Sequence, residues 1–196
     1  IIEIMDFVRK DLSNYNQKLQ SLFFMRKPKR NIYLIGMMGT GKSTIGEKVA
    51  RQLSIEFYDS DREIEKQEGN SVSEIFTQHG ELKFRELEQS FIESGHPESN
   101  CIVSCGGGLC MIRGMLEKLR GKGFVICLWA NAEVIFERIK QDRGRPLLLV
   151  DEPRREIQKI IEARRDTYLQ ADLVIDCNNV SIKDVAMKVI DAATDL

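Results

Sequence analysis

The run Gly36-Met37-Met38-Gly39-Thr40-Gly41-Lys42-Ser43 has the residue types and spacing needed to hold phosphate. It fits the pattern GxxxxGK[ST] and stands between a β-type run, 31–36, and a helical pattern, 42–54, which is the context that gives such a pattern its meaning. The glycines let backbone N–H groups turn inward around phosphate oxygens, and the following helix presents its positive end. Lys42 can then reach the β- and γ-phosphates, and the Ser43 hydroxyl can ligate Mg²⁺. Gly39, Thr40, Gly41 and Thr44 complete the nucleotide-facing stretch. A glycine-rich turn without a ligand is the bland alternative, and the pattern alone does not choose among kinases, GTPases and ATPases.

Further candidates fall at other strand ends. Asp59 and Asp61 close the run IEFYD and the residues after it, at the carboxyl edge where ligands bind in open α/β sheets. One carboxylate near a metal and one near an acceptor hydroxyl would suit phosphoryl transfer; as a plain structural reading, Ser60 or Asp61 caps the next helix. Gly106, Gly107 and Gly108 follow the apolar run CIVSC and expose bare backbone, as a close approach to a ligand requires. Arg85, in GELKFRELE, is by itself either a ligand group or a surface salt-bridge partner. The stretch Gln141–Leu148 carries Arg143 and Arg145 beside a glycine and a proline. It reads either as a loop that closes over a nucleotide or as a solvated turn.

The elements that must position these residues alternate along the chain. Strand-like runs at 31–36, 55–59, 101–105, 124–130 and 173–177 are separated by helical periodicity over 42–54, 60–67, 71–78, 80–94, 109–119, 132–141, 153–170 and 181–193. That alternation predicts parallel strands with crossover helices on both faces, a three-layer α/β sandwich. In the first 25 residues Ile1, Met5, Val8, Leu12, Tyr15, Leu19 and Leu22 recur at heptad spacing, which predicts an amphipathic helix ended by the basic linker 26–30. Residues 1–30 and 31–196 are therefore read as separate units. A length of 196 residues with 42% apolar and 30% charged residues suits one core. With 29 Lys and Arg against 30 Asp and Glu, no general basic field exists for nucleic acid or an anionic membrane. No apolar run is long enough to span a bilayer, so the chain reads as soluble and cytoplasmic. The five cysteines match no paired zinc spacing and read as buried, reduced thiols.

Taken together, GMMGTGKSTIG, DSD, the GE..FR..E block, CGGG and RGRPLL resemble the shikimate kinase family in order and spacing, over roughly residues 31–193. The resemblance implies a five-stranded parallel sheet of order 2-3-1-4-5, a substrate-binding insert at about 60–94 and a lid at about 142–154. It implies ATP and Mg²⁺ as cofactors, shikimate as the phosphate acceptor at its 3-hydroxyl, and a monomeric kinase unit. By position, Asp59 would help hold Mg²⁺ through water beside Ser43. Asp61 would contact the shikimate hydroxyls and assist proton removal. Arg85 and one arginine of Arg164-Arg165 would grip the carboxylate, with Gly106, Gly107 and Gly108 lining the ring. Arg145 would be the lid arginine on the phosphates, and Arg138 would lie against adenine with the loop at Asn178. Arg164 is preferred over Arg165, because Ile160 and Ile161 precede it by four and three residues and place it at the edge of the buried stripe. Two departures stand out: the stretch between Arg164 and Tyr168 lacks the family's usual proline or leucine, and Tyr168 to Ala171 is one residue short.

The segment Arg9-Lys10-Asp11-Leu12, with Tyr15, Asn16, Leu19, Leu22, Phe23 and Arg26, resembles the first helix of the helical chorismate mutase family. The helices that complete such an active site are not in this sequence, so a docking or dimerisation role, or a join to an upstream domain, is expected and mutase activity is not. Two rival readings of the whole chain are a gluconate kinase-like enzyme and a nucleotide-binding module without catalysis.

Overall fold

Continuous apolar sequence rather than alternation marks the central strands, as a sheet covered on both faces requires. The structure, a computed structural model, describes residues 28–140 and 150–194. Within it β1 (Asn31–Ile35) is buried at every residue. Tyr33 of β1 lies opposite Val103 of β3 (Cys101–Ser104) on one side and Val125 of β4 (Gly123–Trp129) on the other. Beyond them β2 (Glu56–Asp59) pairs with β3, and β5 (Leu173–Asp176) with β4. All pairings are parallel, and the order is β2-β3-β1-β4-β5, as the family resemblance implied.

Among the described residues six α-helices connect the strands, α1 (Lys42–Leu53), α2 (Ser60–Glu68), α3 (Val72–Ser94), α4 (Met115–Lys122), α5 (Ala132–Ile139) and α6 (Pro153–Tyr168), and a seventh, α7 (Ile182–Thr194), follows β5. Neighbouring residues of β1 point to opposite faces, yet Ile32, Tyr33, Leu34 and Ile35 are all at most 1% exposed, so helices cover both faces. α3 is two helical pieces, broken at Gly80 with φ 80° and ψ 173°, where the periodicity also broke. The predicted helix over 109–119 is corrected. Leu109–Met111 form a 3₁₀ turn, Gly114 adopts φ 76°, and the α-helix starts only at Met115. The glycine turn before it sends Gly106 and Gly108 carbonyls to the N–H groups of Leu109 and Met111, which favours the tighter winding.

At the amino edge of the sheet, the buried Asn31 side chain donates to the Pro97 carbonyl at 2.7 Å and accepts from the Cys101 N–H at 3.1 Å, tying the starts of β1 and β3 together. All five cysteines are free and buried. Among the described residues no helix is long and apolar enough to cross a membrane.

The chain leaves β1 through Gly36, whose φ is +133° and whose Cβ, if present, would lie 2.3 Å from the Leu128 carbonyl oxygen of β4. Neither the backbone angle nor a strand carbonyl can give cheaply. Gly36→Ala is expected to lower unfolding stability by about 2–4 kcal/mol, read as a fall in urea midpoint with an unchanged m-value.

Candidate active site

Loops at the carboxyl ends of β1, β2, β3 and β5 converge on a cavity of about 520 Å³. Gly39 and Gly41, with φ of 75° and 96°, shape the loop from β1. Gly41 caps α1 without any side-chain hydrogen bond, whereas α2 and α3 carry side-chain caps. The first N–H groups of α1 are thus left for a ligand, with the helix dipole behind them. Lys42 is 9% exposed, and its ammonium donates to the carbonyls of Gly36 and Met37 at 2.9 and 3.1 Å. Burial pushes its pKa down, while Asp61 and Asp59 pull it back. Thr40 is buried, its hydroxyl donating to the Met37 carbonyl at 2.8 Å. Ser43 and Thr44 line the cavity wall.

Asp59 uses its two oxygens for two tasks. Oδ2 accepts from the Ser43 hydroxyl at 2.6 Å, and Oδ1 accepts the N–H groups of Asp61 and Arg62. The cap of α2 is therefore Asp59, not Ser60 or Asp61. Ser60 is fully buried, and its hydroxyl accepts from the Gly106 N–H at 2.8 Å. Ser104 adds a third oxygen, 3.3 Å from that of Ser43. Among the described residues no group of three or more His, Cys, Asp or Glu could hold a metal ion. Two hydroxyls and one carboxylate at the phosphate loop instead fit a hard cation that keeps waters and takes further oxygens from phosphate.

The turn after β3 gathers the remaining charged groups. A Cβ on Gly106 would lie 2.5 Å from Glu88 Oε1 and 2.6 Å from Asp61 Oδ1; one on Gly108 would lie 2.5 Å from the Arg85 guanidinium. Arg164 reaches the middle glycine, donating from Nη1 to the Gly107 carbonyl at 2.9 Å. Arg85 is held by Glu88 at 2.5 Å and Glu81 at 2.7 Å. Burial, then the Asp59 charge, raise the pKa of Asp61, against the pull of Lys42. On the other side of the cavity Arg138 donates to the carbonyls of Cys177 at 2.8 Å, Gly39 at 3.3 Å and Thr40 at 3.4 Å. It joins the phosphate loop to the end of β5. Asn178, just beyond, spends its side-chain oxygen on the Asn131 N–H at 2.9 Å.

Comparison with known proteins bears on this arrangement directly. The family model for shikimate kinase matches residues 38–194. A shikimate kinase of Thermodesulfovibrio yellowstonii is 40% identical over 82% of this chain and 93% of its own, and one of Persephonella marina is 44% identical over 78% and 92%. This chain belongs to the shikimate kinase family. The shikimate kinase from Acinetobacter baumannii in complex with shikimate superposes with a TM-score of 0.80 at 32% identity, covering 88% of this chain and 96% of that one. A gluconokinase from Sinorhizobium meliloti, at 17% identity and a TM-score of 0.56, shares the fold.

For a member of the shikimate kinase family, the choice between Arg164 and Arg165 matters, and the two differ here. Arg164 is half-buried over the glycine turn and Arg165 is exposed, as adjacent helical residues must diverge. Arg145 and the helix expected over residues 1–25 lie outside the described residues. Sequence reading included Glu88 as the last residue of the GE..FR..E block but gave it no role; its side chain is 0% exposed, and its place three residues after Arg85 was the signal for the pair. Sequence reading passed over Ser60 as the ligand of Gly106 and Tyr168 as a donor to Gly107.

Glu88 Oε1 is the one buried side-chain oxygen without a hydrogen-bond partner among the described residues. Burial pushes the Glu88 pKa up to about 7, against the attraction of Arg85. The folded state then holds this proton more tightly than the unfolded chain does, so stability is lost as pH rises through that window. Between pH 5 and pH 8 the wild type is expected to lose about 1–3 kcal/mol more than Glu88→Gln, measured as urea midpoints at both pH values.

Proposed function

We propose that this chain transfers the γ-phosphate of ATP to the 3-hydroxyl of shikimate, giving shikimate 3-phosphate on the route to chorismate and the aromatic amino acids. The glycine turn carries this reading, because Asp61, Arg164 and Arg85 stand over Gly106, Gly107 and Gly108 in succession. A hydroxylated carboxylic acid needs guanidinium forks for its carboxylate and a carboxylate acceptor for its hydroxyl. Arg85 and Arg164 are the forks, and Asp61 is the acceptor. The raised proton affinity of Asp61 suits it to take the hydroxyl proton as that oxygen attacks phosphorus.

The backbone of Gly39, Thr40 and Gly41 cradles the phosphates with Ser43 and Thr44, and Lys42 turns from its loop carbonyls to the β- and γ-oxygens. Arg138 and the loop at Asn178 flank the adenine. Arg145 is assigned to the transferring phosphate by its place in RGRPLL. Ser43 and Asp59 would hold Mg²⁺, which would offset the negative charge of the phosphates. The insert at about 60–94 brings Asp61 and Arg85 to the acceptor; the lid that the family resemblance puts at about 142–154 falls largely outside the described residues. The cytoplasm is the expected compartment, with the kinase unit acting as a monomer.

Coupled ADP release measured with shikimate, gluconate and nucleoside monophosphates tests the substrate. Turnover is expected with shikimate alone, and turnover on gluconate with none on shikimate overturns the reading. Arg164→Ala is expected to raise the shikimate KM about tenfold to a hundredfold, as loss of a charge-assisted fork implies, while Arg165→Ala leaves it near wild type. Arg145→Ala should lower kcat with a smaller effect on ATP affinity, and a wild-type kcat would remove its role.

A further inference from the structure

The last turn of α6 sets two donors on one acceptor. Arg164 and Tyr168 are four residues apart and so share a helix face. Tyr168 is 1% exposed, and its hydroxyl donates to the Gly107 carbonyl at 2.6 Å, the same oxygen that receives Arg164 Nη1 at 2.9 Å. A carbonyl oxygen has two lone pairs, and both are taken. The turn that carries Gly107 is tied on both sides, since the Gly106 N–H donates to the Ser60 hydroxyl at 2.8 Å and the Gly106 and Gly108 carbonyls accept from the N–H groups of Leu109 and Met111. Nη1 of Arg164 also lies 3.9 Å from Met37 Sδ, and the guanidinium stands beside the Tyr168 hydroxyl, whose pKa burial pushes up and Arg164 pulls down. Burial keeps the Tyr168 phenol in its protonated, donating form.

We propose that Tyr168 is a positioning residue that frees Arg164 to bind the carboxylate of the acceptor, by keeping the Gly107 carbonyl satisfied when the guanidinium turns away from it. This rests on the proposed role of Arg164. A buried carbonyl left without a donor is costly. With the tyrosine in place, Arg164 gives up only a shared bond when it engages a carboxylate. Without the hydroxyl, Gly107 depends on Arg164 alone, and every substrate that recruits the guanidinium orphans the carbonyl. The effect falls on acceptor binding, because Arg164 and Tyr168 both donate to the glycine turn, the proposed acceptor wall, and neither bonds to Gly39, Thr40, Gly41, Lys42 or Ser43.

Tyr168→Phe removes the donor and keeps the ring, so a cycle of wild type, Tyr168→Phe, Arg164→Ala and the double variant isolates the effect. Steady-state kinetics with shikimate and ATP and thermal midpoints are measured for all four. Tyr168→Phe is expected to raise the shikimate KM about fivefold to fiftyfold, with the ATP KM and kcat within about twofold. In the Arg164→Ala background it should add nothing further. An unchanged shikimate KM in Tyr168→Phe, with a raised one in Arg164→Ala, overturns the tyrosine's role and leaves that of Arg164 standing. An unchanged KM in Arg164→Ala overturns both. An equal rise from Tyr168→Phe with or without Arg164, or a parallel rise in both KM values with a fall in thermal midpoint, shows general packing and overturns the inference.

Discussion

A Cβ at Gly106 would meet two carboxylates and one at Gly108 a guanidinium, all within 2.6 Å, so the turn after β3 admits these groups only by lacking side chains. Because that turn is bare, α2 and α3 can bring Asp61, Arg85 and Glu88 to the sheet edge, and α6 can bring Arg164 from the other side. The Ser60 hydroxyl then fixes Gly106, and Tyr168 fixes Gly107. A side chain at Gly106 or Gly108 would push these charged groups apart.

Gathering so much charge opposes folding, since a buried ion pair rarely recovers its desolvation. Glu88 shows the cost most plainly: its side chain has no exposure, one oxygen meets Arg85, and the other meets nothing among the described residues. Lys42 is also buried, near Asp61 and Asp59. The offset comes from strands such as β1, whose Ile32, Tyr33 and Leu34 are wholly enclosed. Rigidity is what the arrangement gains, because groups held by packing and by one another need little reorganisation when a charged transition state forms.

The fold and much of the site were legible because their signals are local. Gly36 to Ser43 reads as a phosphate loop within eight consecutive residues, and five apolar runs separated by helical periods can hardly be other than parallel strands. The preference for Arg164 over Arg165 came from two isoleucines on the same helix. What escaped depends on contacts between distant segments. Glu88 looks like one more acid on a charged helix until α3 is laid against the glycine turn, and Tyr168 meets Gly107 across 61 positions. The 109–119 error arose differently: apolar periodicity there is genuine, but it spans a 3₁₀ turn and a left-handed Gly114 that hydrophobic spacing does not register.

The five enclosed thiols give the chain a particular relation to oxidants. Burial drives the thiols of Cys101, Cys110 and Cys127 up to about 12 and that of Cys177 to about 11, so the folded protein offers almost no thiolate for attack. Once the sheet opens, all five are released at once into a chain where they ionise normally and meet one another. In a reducing medium such an excursion is reversible, whereas in an oxidising one each opening risks a cross-link that native packing cannot accommodate. There the working lifetime of the protein is governed by how often it unfolds rather than by its equilibrium stability.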